Sequence, residues 1–254
     1  SSVLHGTGIF YRGGTHVLSV LTLGSPKDSQ LLDGMEVRER KYFMHHYNFP
    51  PFSGGETGRM GGINRRAVGH GALAEKALRG ILPSRDIFPY TIRVVSESMA
   101  SNGSTSMASV CASSIALIDG GVPVTRPAAG IAMGLMQVDD NNYKILTDIQ
   151  GPEDDHGDMD FKVAGTKNGI TAIQLDMKVD GISDEIVSGA LDRAKVARTM
   201  ILEKMHELIA SSRPQLSQYA PKVQMVKIPM ERIGEIIGPG GKIIRQIQTI
   251  TGAV

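Results

Sequence analysis

Residues 91–121 read TIRVVSESMASNGSTSMASVCASSIALIDGG, which predicts a strand followed by a helix of small side chains. β-Branched residues favour a strand over residues 91–97. Residues 104–119 are rich in Ala and Ser, and the hydroxyl residues with which they begin are typical of a helix N-terminus. Gly120 and Gly121 then predict the end of the helix. A strand and a helix in direct succession indicate a mixed α/β chain.

Further strands and helices are predicted on both sides of this segment. β-Branched apolar runs predict three more strands, at residues 16–23, 131–138 and 143–149. The turn sequence Lys-Asn-Gly at 167–169 predicts a hairpin between strands at 161–165 and 170–179. Apolar residues at helical spacing predict helices at 63–82 and 184–210. The second of these helices should bury a stripe made of Ile186, Ala190, Ala194, Ala197, Ile201, Met205 and Leu208.

The composition is that of an ordinary globular chain with almost no net charge. Of 254 residues, 41% are hydrophobic and 21% are charged, which excludes a disordered or collagen-like chain. The 27 basic residues exceed the 26 acidic ones by one, so any contact with nucleic acid must depend on local patches. The single cysteine, Cys111, excludes an intrachain disulfide and indicates a reducing compartment, which we expect to be the cytoplasm. No run of about 18 apolar residues predicts a membrane span.

A polar segment divides the sequence into two predicted domains. We expect a mixed α/β domain over residues 1–212 and a proline-containing linker over residues 213–222. Residues 223–254 are predicted to form the start of a second domain, with a strand over residues 223–228 and two short helices. The sequence lacks an initiator Met and stops within a predicted element, so we expect it to be a piece of a longer protein.

Three successive hydroxyl residues at the start of the small-residue helix form a candidate phosphate site. Ser104, Thr105 and Ser106 combine hydroxyl groups with the free N–H groups and the positive dipole of a helix N-terminus. The alternative is ordinary helix capping, although one cap needs only one hydroxyl. Cys111 lies further along the same helix among apolar residues, which favours a thiol of the core over a nucleophile.

A basic cluster at the start of the helix at 63–82 is a second candidate. Arg66 and His70 are four residues apart and therefore share one face of the helix, with Arg65 beside them. Two guanidinium groups and an imidazole can hold successive phosphates, because Arg binds oxyanions in a bidentate manner. The alternative is a solvated basic face.

An acidic segment is the third candidate. It carries the carboxylates of Glu153, Asp154, Asp155, Asp158 and Asp160. Asp158, Asp160 and Lys162 alternate and should share one face of a strand. Carboxylates at this density repel one another unless a cation lies between them, and hard oxygen ligands beside a lysine suit Mg²⁺ or Mn²⁺ shared with a phosphate. The alternative is an acidic, solvated turn.

A glycine-rich turn in the second domain is the fourth candidate. Gly238, Pro239, Gly240 and Gly241 join two short helices that carry several isoleucines. The spacing does not fit a P-loop, because Ile243 occupies the position of the Ser or Thr that binds the metal. Strand, helix, Gly-x-x-Gly turn and helix in this order are typical of a KH domain, in which the glycines let an RNA backbone approach closely.

Three long segments resemble the second ribonuclease-PH-like core of the polynucleotide phosphorylase family. They are HYNFPPFSGGETGRMGGINRRAVGHGALAEKAL (46–78), FPYTIRVVSESMASNGSTSMASVCA (88–112) and GPEDDHGDMDFKVAGTKNGITAIQLDMKV (151–179). IIGPGGKII (236–244) resembles the KH domain that follows that core. The resemblance implies an α/β (α+β) fold, in which a ribonuclease-PH-like core of mixed sheet and packed helices precedes a partial KH domain. The family's first core, helical domain and S1 domain are expected to lie outside this sequence.

This resemblance also implies an activity, that of a polyribonucleotide nucleotidyltransferase. Such an enzyme degrades RNA processively from 3′ to 5′ with inorganic phosphate as co-substrate, releases nucleoside 5′-diphosphates, and runs backwards as a template-independent polymerase. The family forms a homotrimeric ring that threads single-stranded RNA and uses Mg²⁺ or Mn²⁺. Membership of an RNA-degradation complex with an endoribonuclease and a helicase is left open.

Roles for individual residues follow from their positions in the family's motifs. The residues expected to bind phosphate are Ser104, Thr105, Ser106, Arg65 and Arg66. The catalytic residues would be Asp160, Lys162 and His70, and the metal ligands Asp154 and Asp160. RNA would contact Gly238, Pro239, Gly240, Gly241 and Lys242. Thr105 stands where the family usually has Ser, but it keeps the hydroxyl group.

Two functions of other classes compete with this one. A non-catalytic RNA-binding subunit of a ring would have lost the anion and metal motifs, which this sequence retains. A metal-dependent hydrolytic nuclease would use water as the nucleophile and would need no phosphate pocket. Dependence on phosphate therefore separates the alternatives.

Overall fold

The computed structural model describes residues 3–62, 65–139 and 142–253, and these form two units. The first unit is Ser1–Pro221 and the second is Lys222–Val254. The sequence-based boundaries at residues 212 and 222 stay a prediction. Within the first unit, Nη2 of Arg213 lies 2.6 Å from Oδ1 of Asp119, so the beginning of the predicted linker contacts the α/β fold.

The described part of the first unit contains ten strands and four α-helices. The strands are β1 (Gly6–Arg12), β2 (Thr15–Gly24), β3 (Gln30–Asp33), β4 (Arg38–Lys41), β5 (Phe43–Asn48), β6 (Thr91–Ala100), β7 (Ala129–Asp139), β8 (Asn142–Thr147), β9 (Met159–Gly165) and β10 (Ile170–Met177). The helices are α1 (Arg65–Arg79), α2 (Thr105–Asp119), α3 (Gly151–His156) and α4 (Asp184–Leu208).

Two four-stranded sheets form the framework of this unit. The first sheet has the order β1-β2-β6-β5 and is mixed, because β5 runs parallel to β6 while the other pairs are antiparallel. The second sheet has the order β10-β9-β7-β8 and is antiparallel throughout. Strands β3 and β4 pair only with each other. The predicted hairpin of β9 and β10 is confirmed, with Ile170 opposite Gly165.

Helix α2 contacts strands of both sheets and is the most deeply buried element. Every one of its residues except Asp119 is buried, which is the pattern of a helix enclosed on all sides. Its small side chains allow this close packing. At Gly8, for example, an added Cβ atom would overlap the carbonyl oxygen of Ala112, so β1 approaches the helix backbone directly.

The hydroxyl groups that α2 carries into the core are hydrogen-bonded. Ser113 Oγ lies 3.1 Å from Nε2 of His45 on β5 and 3.1 Å from the hydroxyl of Ser96 on β6. His45 is 4% exposed, and burial lowers its pKa from 6.5 to about 4, because the imidazolium form is poorly solvated there. A neutral histidine therefore links β5, β6 and α2.

Helix α4 packs on β7, β8 and β9. Ser183 caps it by accepting a hydrogen bond from the Ile186 N–H, and four predicted stripe residues are buried: Ile186, Ala190, Ala194 and Met205. The prediction was wrong for Leu208, which is 69% exposed. The buried face instead continues from Ala194 to Arg198 and Leu202 in steps of four residues. Apolar spacing does not predict this continuation, because residue 198 is a charged arginine.

Several elements are not predicted from the sequence, and one predicted strand is wrong. The additional elements are strands β1, β3, β4 and β5 and helix α3. The helix predicted over residues 63–82 begins at residues 63 and 64, which lie outside the described residues. In the second unit, residues 223–228 form no strand, because the described part of this unit offers no second strand to pair with.

The second unit consists of two short helices, α5 (Ile233–Ile237) and α6 (Lys242–Thr251), joined by the glycine-rich turn. None of its described residues is buried. The isoleucines of these two helices, except Ile236, are exposed, with Ile233 at 40% and Ile247 at 41%. Thirty-three residues are too few to enclose them. Within the described residues of the chain, no helix is both long and apolar enough to cross a membrane.

The buried state of His45 predicts a specific dependence of stability on pH. Between the usual pKa of 6.5 and the folded value of about 4, the unfolded chain binds a proton that the folded chain excludes. The free energy of unfolding should therefore be highest above pH 6.5 and fall as the pH drops toward 4, with a slope from His45 that approaches about 1.4 kcal/mol per pH unit. We expect His45→Gln to remove this part of the slope in urea unfolding between pH 7 and pH 5.

The control for this prediction is Ser109→Ala. It deletes a buried hydroxyl, which donates to the Ser106 carbonyl at 2.7 Å, but no titratable group. It should lower the free energy of unfolding without changing its pH slope. An unchanged slope in His45→Gln would contradict the neutral state of His45.

Candidate active site

A cavity of about 40 Å³ lies where α1, the N-terminus of α2, α3 and β9 meet. The sequence predicts nine residues for phosphate binding, metal binding and catalysis, and seven of them line this cavity: Arg66, His70, Ser104, Thr105, Asp154, Asp160 and Lys162. Ser106 and Arg65 do not line it. Residues from four separate stretches of the chain are thereby brought to one place.

The N-terminus of α2 offers unused hydrogen-bond donors to this cavity. Ser104 is the N-cap, and its Oγ accepts from the Met107 N–H at 3.3 Å. Among the described residues, the backbone N–H groups of Thr105 and Ser106 have no partner. Two free N–H groups and the helix dipole favour a negatively charged group here. The capping interpretation is therefore correct for Ser104, but it does not account for the remaining donors.

The three hydroxyl groups have different surroundings. Thr105 is 2% exposed, and its Oγ1 accepts a hydrogen bond from Tyr47 Oη at 2.5 Å. Ser106 is fully buried, and its Oγ lies 3.3 Å from that of Ser104. Ser104 and Thr105 line the cavity, whereas Ser106 does not and contacts the Ser104 hydroxyl.

Gly103 shapes the loop that leads into α2. Its φ of 130° is a conformation that side chains rarely allow, and a Cβ atom there would lie 2.8 Å from Nη2 of Arg12 and from the Ile149 carbonyl oxygen. Arg12 is held by an ion pair of 2.6 Å with Asp148. Neither Arg12 nor Asp148 is predicted from the sequence, because 136 residues separate them and no motif joins them.

Helix α1 contributes one cation and one neutral imidazole. Nη2 of Arg66 lies 3.8 Å from Oδ2 of Asp154, and the Arg66 side chain is 74% exposed, so it is free to reorient. Burial, together with the charges of Lys162 and Arg66, lowers the pKa of His70 to about 4. His70 therefore carries no charge at pH 7, and its ring has one nitrogen that donates and one that accepts hydrogen bonds. Arg65 is exposed at the first position of α1.

Strand β9 places a carboxylate and an ammonium group side by side. Nζ of Lys162 donates to Oδ2 of Asp160, and the Lys162 side chain is only 8% exposed. Burial raises the pKa of Asp160, and the neighbouring Lys162 opposes that rise. Oδ1 of Asp160 is buried and has no hydrogen-bond partner among the described residues. The pair keeps one carboxylate oxygen available for a further ligand.

Two of the remaining acidic residues, Glu153 and Asp158, have structural roles. Residues 151–156 form α3 rather than a turn, and Oε2 of Glu153 accepts from the Gln150 N–H at 2.8 Å at its start. Asp158 precedes β9 and accepts from the Gln137 N–H at 2.7 Å, so it does not join Asp160 and Lys162 as predicted. The cluster thus separates into two carboxylates at the cavity, two that accept hydrogen bonds from backbone N–H groups, and that of Asp155, which does neither.

Asp154 and Asp160 fit a divalent cation by their chemistry. Both line the cavity, and Asp160 has a buried oxygen without a partner. Among the described residues, no three His, Cys, Asp or Glu side chains converge on one point. Two carboxylates nevertheless suit Mg²⁺, which typically binds one or two carboxylates and completes its coordination with substrate phosphates and water.

The glycine-rich turn of the second unit is tight and open. Gly238, Gly240 and Gly241 have φ values of 69°, 58° and 77°, a range that favours glycine. Nη2 of Arg245 donates to the Gly240 carbonyl at 2.5 Å, and Lys242 begins α6 directly after the turn. An added Cβ atom at Gly240 would meet nothing within 4 Å. The turn therefore leaves its backbone accessible.

Two aromatic residues lie at or behind the cavity, and the single cysteine lies in the core. Phe49 lines the cavity, and Tyr47 supports it through Thr105. Neither is predicted to be functional, although the alternation of Phe43, His45 and Tyr47 could have indicated a strand. Cys111 is fully buried, and burial raises its pKa to about 12, which confirms a thiol of the core.

Two family models match this chain. Residues 2–123 match the model of the 3′ exoribonuclease family, domain 1, and residues 222–254 match that of the KH domain. Polyribonucleotide nucleotidyltransferase of Thermomicrobium roseum is 59% identical over 98% of this chain and 32% of its own length. The protein of the same name from Staphylococcus carnosus is 58% identical over 98% of this chain and 35% of its own length. The chain therefore spans about a third of these relatives.

The fold is also similar to that of a solved structure. The crystal structure of rice (Oryza sativa) Rrp46 aligns with a TM-score of 0.63 and 16% identity, over 81% of this chain and 89% of that chain. At this identity the likeness concerns the fold alone. Together with the two family models, it confirms the predicted fold class, a ribonuclease-PH-like core followed by a KH domain.

Gly103 provides a test of how the cavity is held. We expect Gly103→Ala to lower the free energy of unfolding by about 2–4 kcal/mol, because it combines an unfavourable φ with crowding against Arg12 and Ile149. Gly61→Ala is the matched control, since Gly61 has a φ of 100° but open space around it, and should cost only about 1 kcal/mol. Urea unfolding of both variants measures the difference. Equal effects would show that crowding by Arg12 and Ile149 is unimportant.

Proposed function

We propose that this chain carries the site of phosphate-dependent RNA degradation, because residues 2–123 match the model of the 3′ exoribonuclease family, domain 1, and 98% of the chain matches polyribonucleotide nucleotidyltransferases. The observation that supports this most is the cavity itself. It combines unused N–H donors of α2, the hydroxyls of Ser104 and Thr105, the cation of Arg66 and the Asp160–Lys162 pair. These groups suit two phosphates brought together for reaction.

In the proposed reaction, an oxygen of inorganic phosphate attacks the phosphorus of the last phosphodiester at the 3′ end of RNA. The bond from that phosphorus to the 3′-oxygen of the preceding nucleotide breaks, and this oxygen takes up a proton. The products are a nucleoside 5′-diphosphate and an RNA shortened by one nucleotide. The reverse reaction adds a nucleotide and releases phosphate. Such a displacement depends mainly on positioning and on neutralisation of charge.

The attacking phosphate is assigned to the N-terminus of α2. The N–H groups of Thr105 and Ser106 and the hydroxyls of Ser104 and Thr105 would donate to its oxygens. Arg66 would pair with a phosphate after leaving Asp154, from which it is 3.8 Å away. Arg65, which is exposed beside it, would bind the incoming RNA chain or phosphate from the rim. The side chain of Ser106, unlike its backbone N–H, would act through Ser104, whose Oγ lies 3.3 Å from its own.

Lys162 and His70 are assigned to the scissile phosphate. Lys162 is buried beside Asp160 and would stabilise negative charge that develops on the phosphate oxygens. His70 is neutral, so its ring can donate a hydrogen bond without adding to the positive charge. The proton for the departing 3′-oxygen would come from Asp160 or from a water molecule held by the metal.

Asp154 and Asp160 are proposed to hold Mg²⁺ or Mn²⁺. The ion would neutralise charge on the reacting phosphates, as divalent ions do in phosphoryl transfer. Asp160 would contribute its unpaired Oδ1, while its Oδ2 remains bonded to Lys162. Asp154 would be released for this role when Arg66 turns to a phosphate.

The proposed partners are RNA and further copies of the same chain. We assign single-stranded RNA binding to the KH turn, through Gly238, Pro239, Gly240, Gly241 and Lys242. From the family we infer a homotrimeric ring, and an RNA-degradation complex with an endoribonuclease and a helicase is compatible with it. A single buried thiol is compatible with a cytoplasmic location.

The decisive experiment incubates the intact protein and single-stranded RNA in Mg²⁺, with and without inorganic phosphate. We expect nucleoside diphosphates to form only when phosphate is present. Asp160→Asn should reduce both phosphorolysis and the reverse polymerisation at least ~10²-fold, because the two directions share one transition state and lose the same charge. Nucleoside monophosphates released without phosphate would indicate a hydrolytic nuclease, and no release at all would indicate a non-catalytic RNA-binding subunit.

Asp155→Asn is the control for this experiment. Asp155 lies on α3 next to Asp154 but does not line the cavity, and its carbonyl oxygen accepts a hydrogen bond from Lys178 Nζ at 2.9 Å. We expect this variant to keep near-normal rates. An Asp160→Asn protein that is folded and fully active would remove Asp160 from the site.

The KH turn gives an independent test. Gly240→Asp places a negative charge at a position with a φ of 58°, which Asp tolerates, and should weaken RNA binding and flatten its salt dependence. Gly240→Asn is the matched control, because it has the same shape without the charge. RNA affinity of the intact protein at several salt concentrations distinguishes them. Equal affinities of the two variants would show that no RNA backbone lies against this turn.

A further inference from the structure

Tyr47 connects the cavity to the first sheet, and no function has so far been assigned to it. It lies on β5, is 7% exposed, and donates from Oη to Oγ1 of Thr105 at 2.5 Å. Burial raises its pKa to about 12, so the phenol keeps its proton at any pH near neutrality. In the structure the phenol is the donor of this hydrogen bond and the Thr105 hydroxyl is its acceptor.

This direction determines what the Thr105 hydroxyl can do. A hydroxyl group has one proton to donate, and an oxygen that accepts from Tyr47 must point its own proton elsewhere. Thr105 lines the cavity, and its hydroxyl has no second partner among the described residues. Its proton is therefore available to an acceptor in the cavity. The branched Cβ of Thr105 restricts χ1 and helps to keep this orientation.

The same tyrosine ring also contacts the imidazole on α1. The rings of Tyr47 and His70 meet edge to face, with centroids 5.5 Å apart and an angle of 70° between their planes. Such a contact favours one position of the imidazole. One buried side chain thus contacts a donor on α2 and the neutral histidine on α1, which are 35 residues apart in the sequence.

We propose that Tyr47 is a positioning residue for the attacking phosphate, which it serves by holding the Thr105 hydroxyl as a donor directed into the cavity. This inference rests on the proposed function, because it requires phosphate to bind at the N-terminus of α2. Tyr47 itself does not line the cavity and is not assigned any contact with substrate. It acts through Thr105 and, by packing, through His70.

The test is Tyr47→Phe in the intact protein, which keeps the ring and removes only the hydroxyl. We expect the KM for phosphate to rise about 5- to 10-fold, the scale of one hydrogen bond, with the KM for RNA unchanged. In the reverse direction the KM for nucleoside diphosphate should rise by a similar factor, because its terminal phosphate occupies the same place. Direct titration with inorganic phosphate should show the same loss of affinity. Tyr143→Phe is the control, since Tyr143 is 40% exposed on β8 and away from the cavity.

A double-mutant cycle separates positioning from general packing. Thr105→Val should weaken phosphate binding by itself, and adding Tyr47→Phe to it should have almost no further effect, because both changes act on one hydroxyl. Effects that multiply, or a Tyr47→Phe protein with an unchanged KM for phosphate, would overturn the inference. Thermal unfolding of each variant shows whether it is folded at the assay temperature. If the wild-type protein releases nucleotides without phosphate, the proposed function fails, and this inference fails with it.

Discussion

The burial of α2 on all sides is the constraint on which the rest of the structure depends. A helix that contacts two sheets can carry only small or apolar side chains, and the strands around it must approach closely, as β1 does at Gly8. Because the helix is fixed along its length, its first turn is fixed as well. The free N–H groups of Thr105 and Ser106 therefore occupy a defined place without any contribution from a ligand. Packing of the core and the geometry of the proposed anion site are two results of one arrangement.

Charge in the cavity is balanced by pairing and by burial rather than by excess of one sign. Lys162 is neutralised by Asp160, Arg66 lies near Asp154, and His70 is uncharged. In each of the two ion pairs, a phosphate could take the place of the carboxylate beside the basic group, or a metal cation the place of the basic group beside the carboxylate. Such a site carries no large uncompensated charge before its ligands bind, and it can accept an anion and a cation together. The proposed reaction needs both kinds of ligand at once.

The sequence predicted six of the ten strands and three of the four helices in the described part of the first unit, and seven of the residues that line the cavity, for identifiable reasons. Helix α2 and its cap at Ser104 follow from local composition, and Arg66 and His70 follow from helical spacing. Contacts between distant segments could not be predicted in this way. The ion pair of Arg12 with Asp148 and the bond from Tyr47 to Thr105 depend on how the sheets are placed, which no local pattern records. Asp158 is a case in which a local pattern predicted too much. The alternation of Asp158, Asp160 and Lys162 predicted one shared strand face, but β9 begins only at Met159 and Asp158 instead accepts from the Gln137 N–H.

The neutral state of His70 has a consequence for the thermodynamics of ligand binding. In the proposed site, a phosphate dianion would favour the imidazolium form and raise the pKa of His70 from about 4. Binding of the anion is then accompanied by partial uptake of a proton, and the extent of that uptake grows as the solution becomes more acidic. The measured enthalpy of binding would consequently depend on the ionisation enthalpy of the buffer. The cavity thus couples occupancy by an oxyanion to the proton activity of its surroundings.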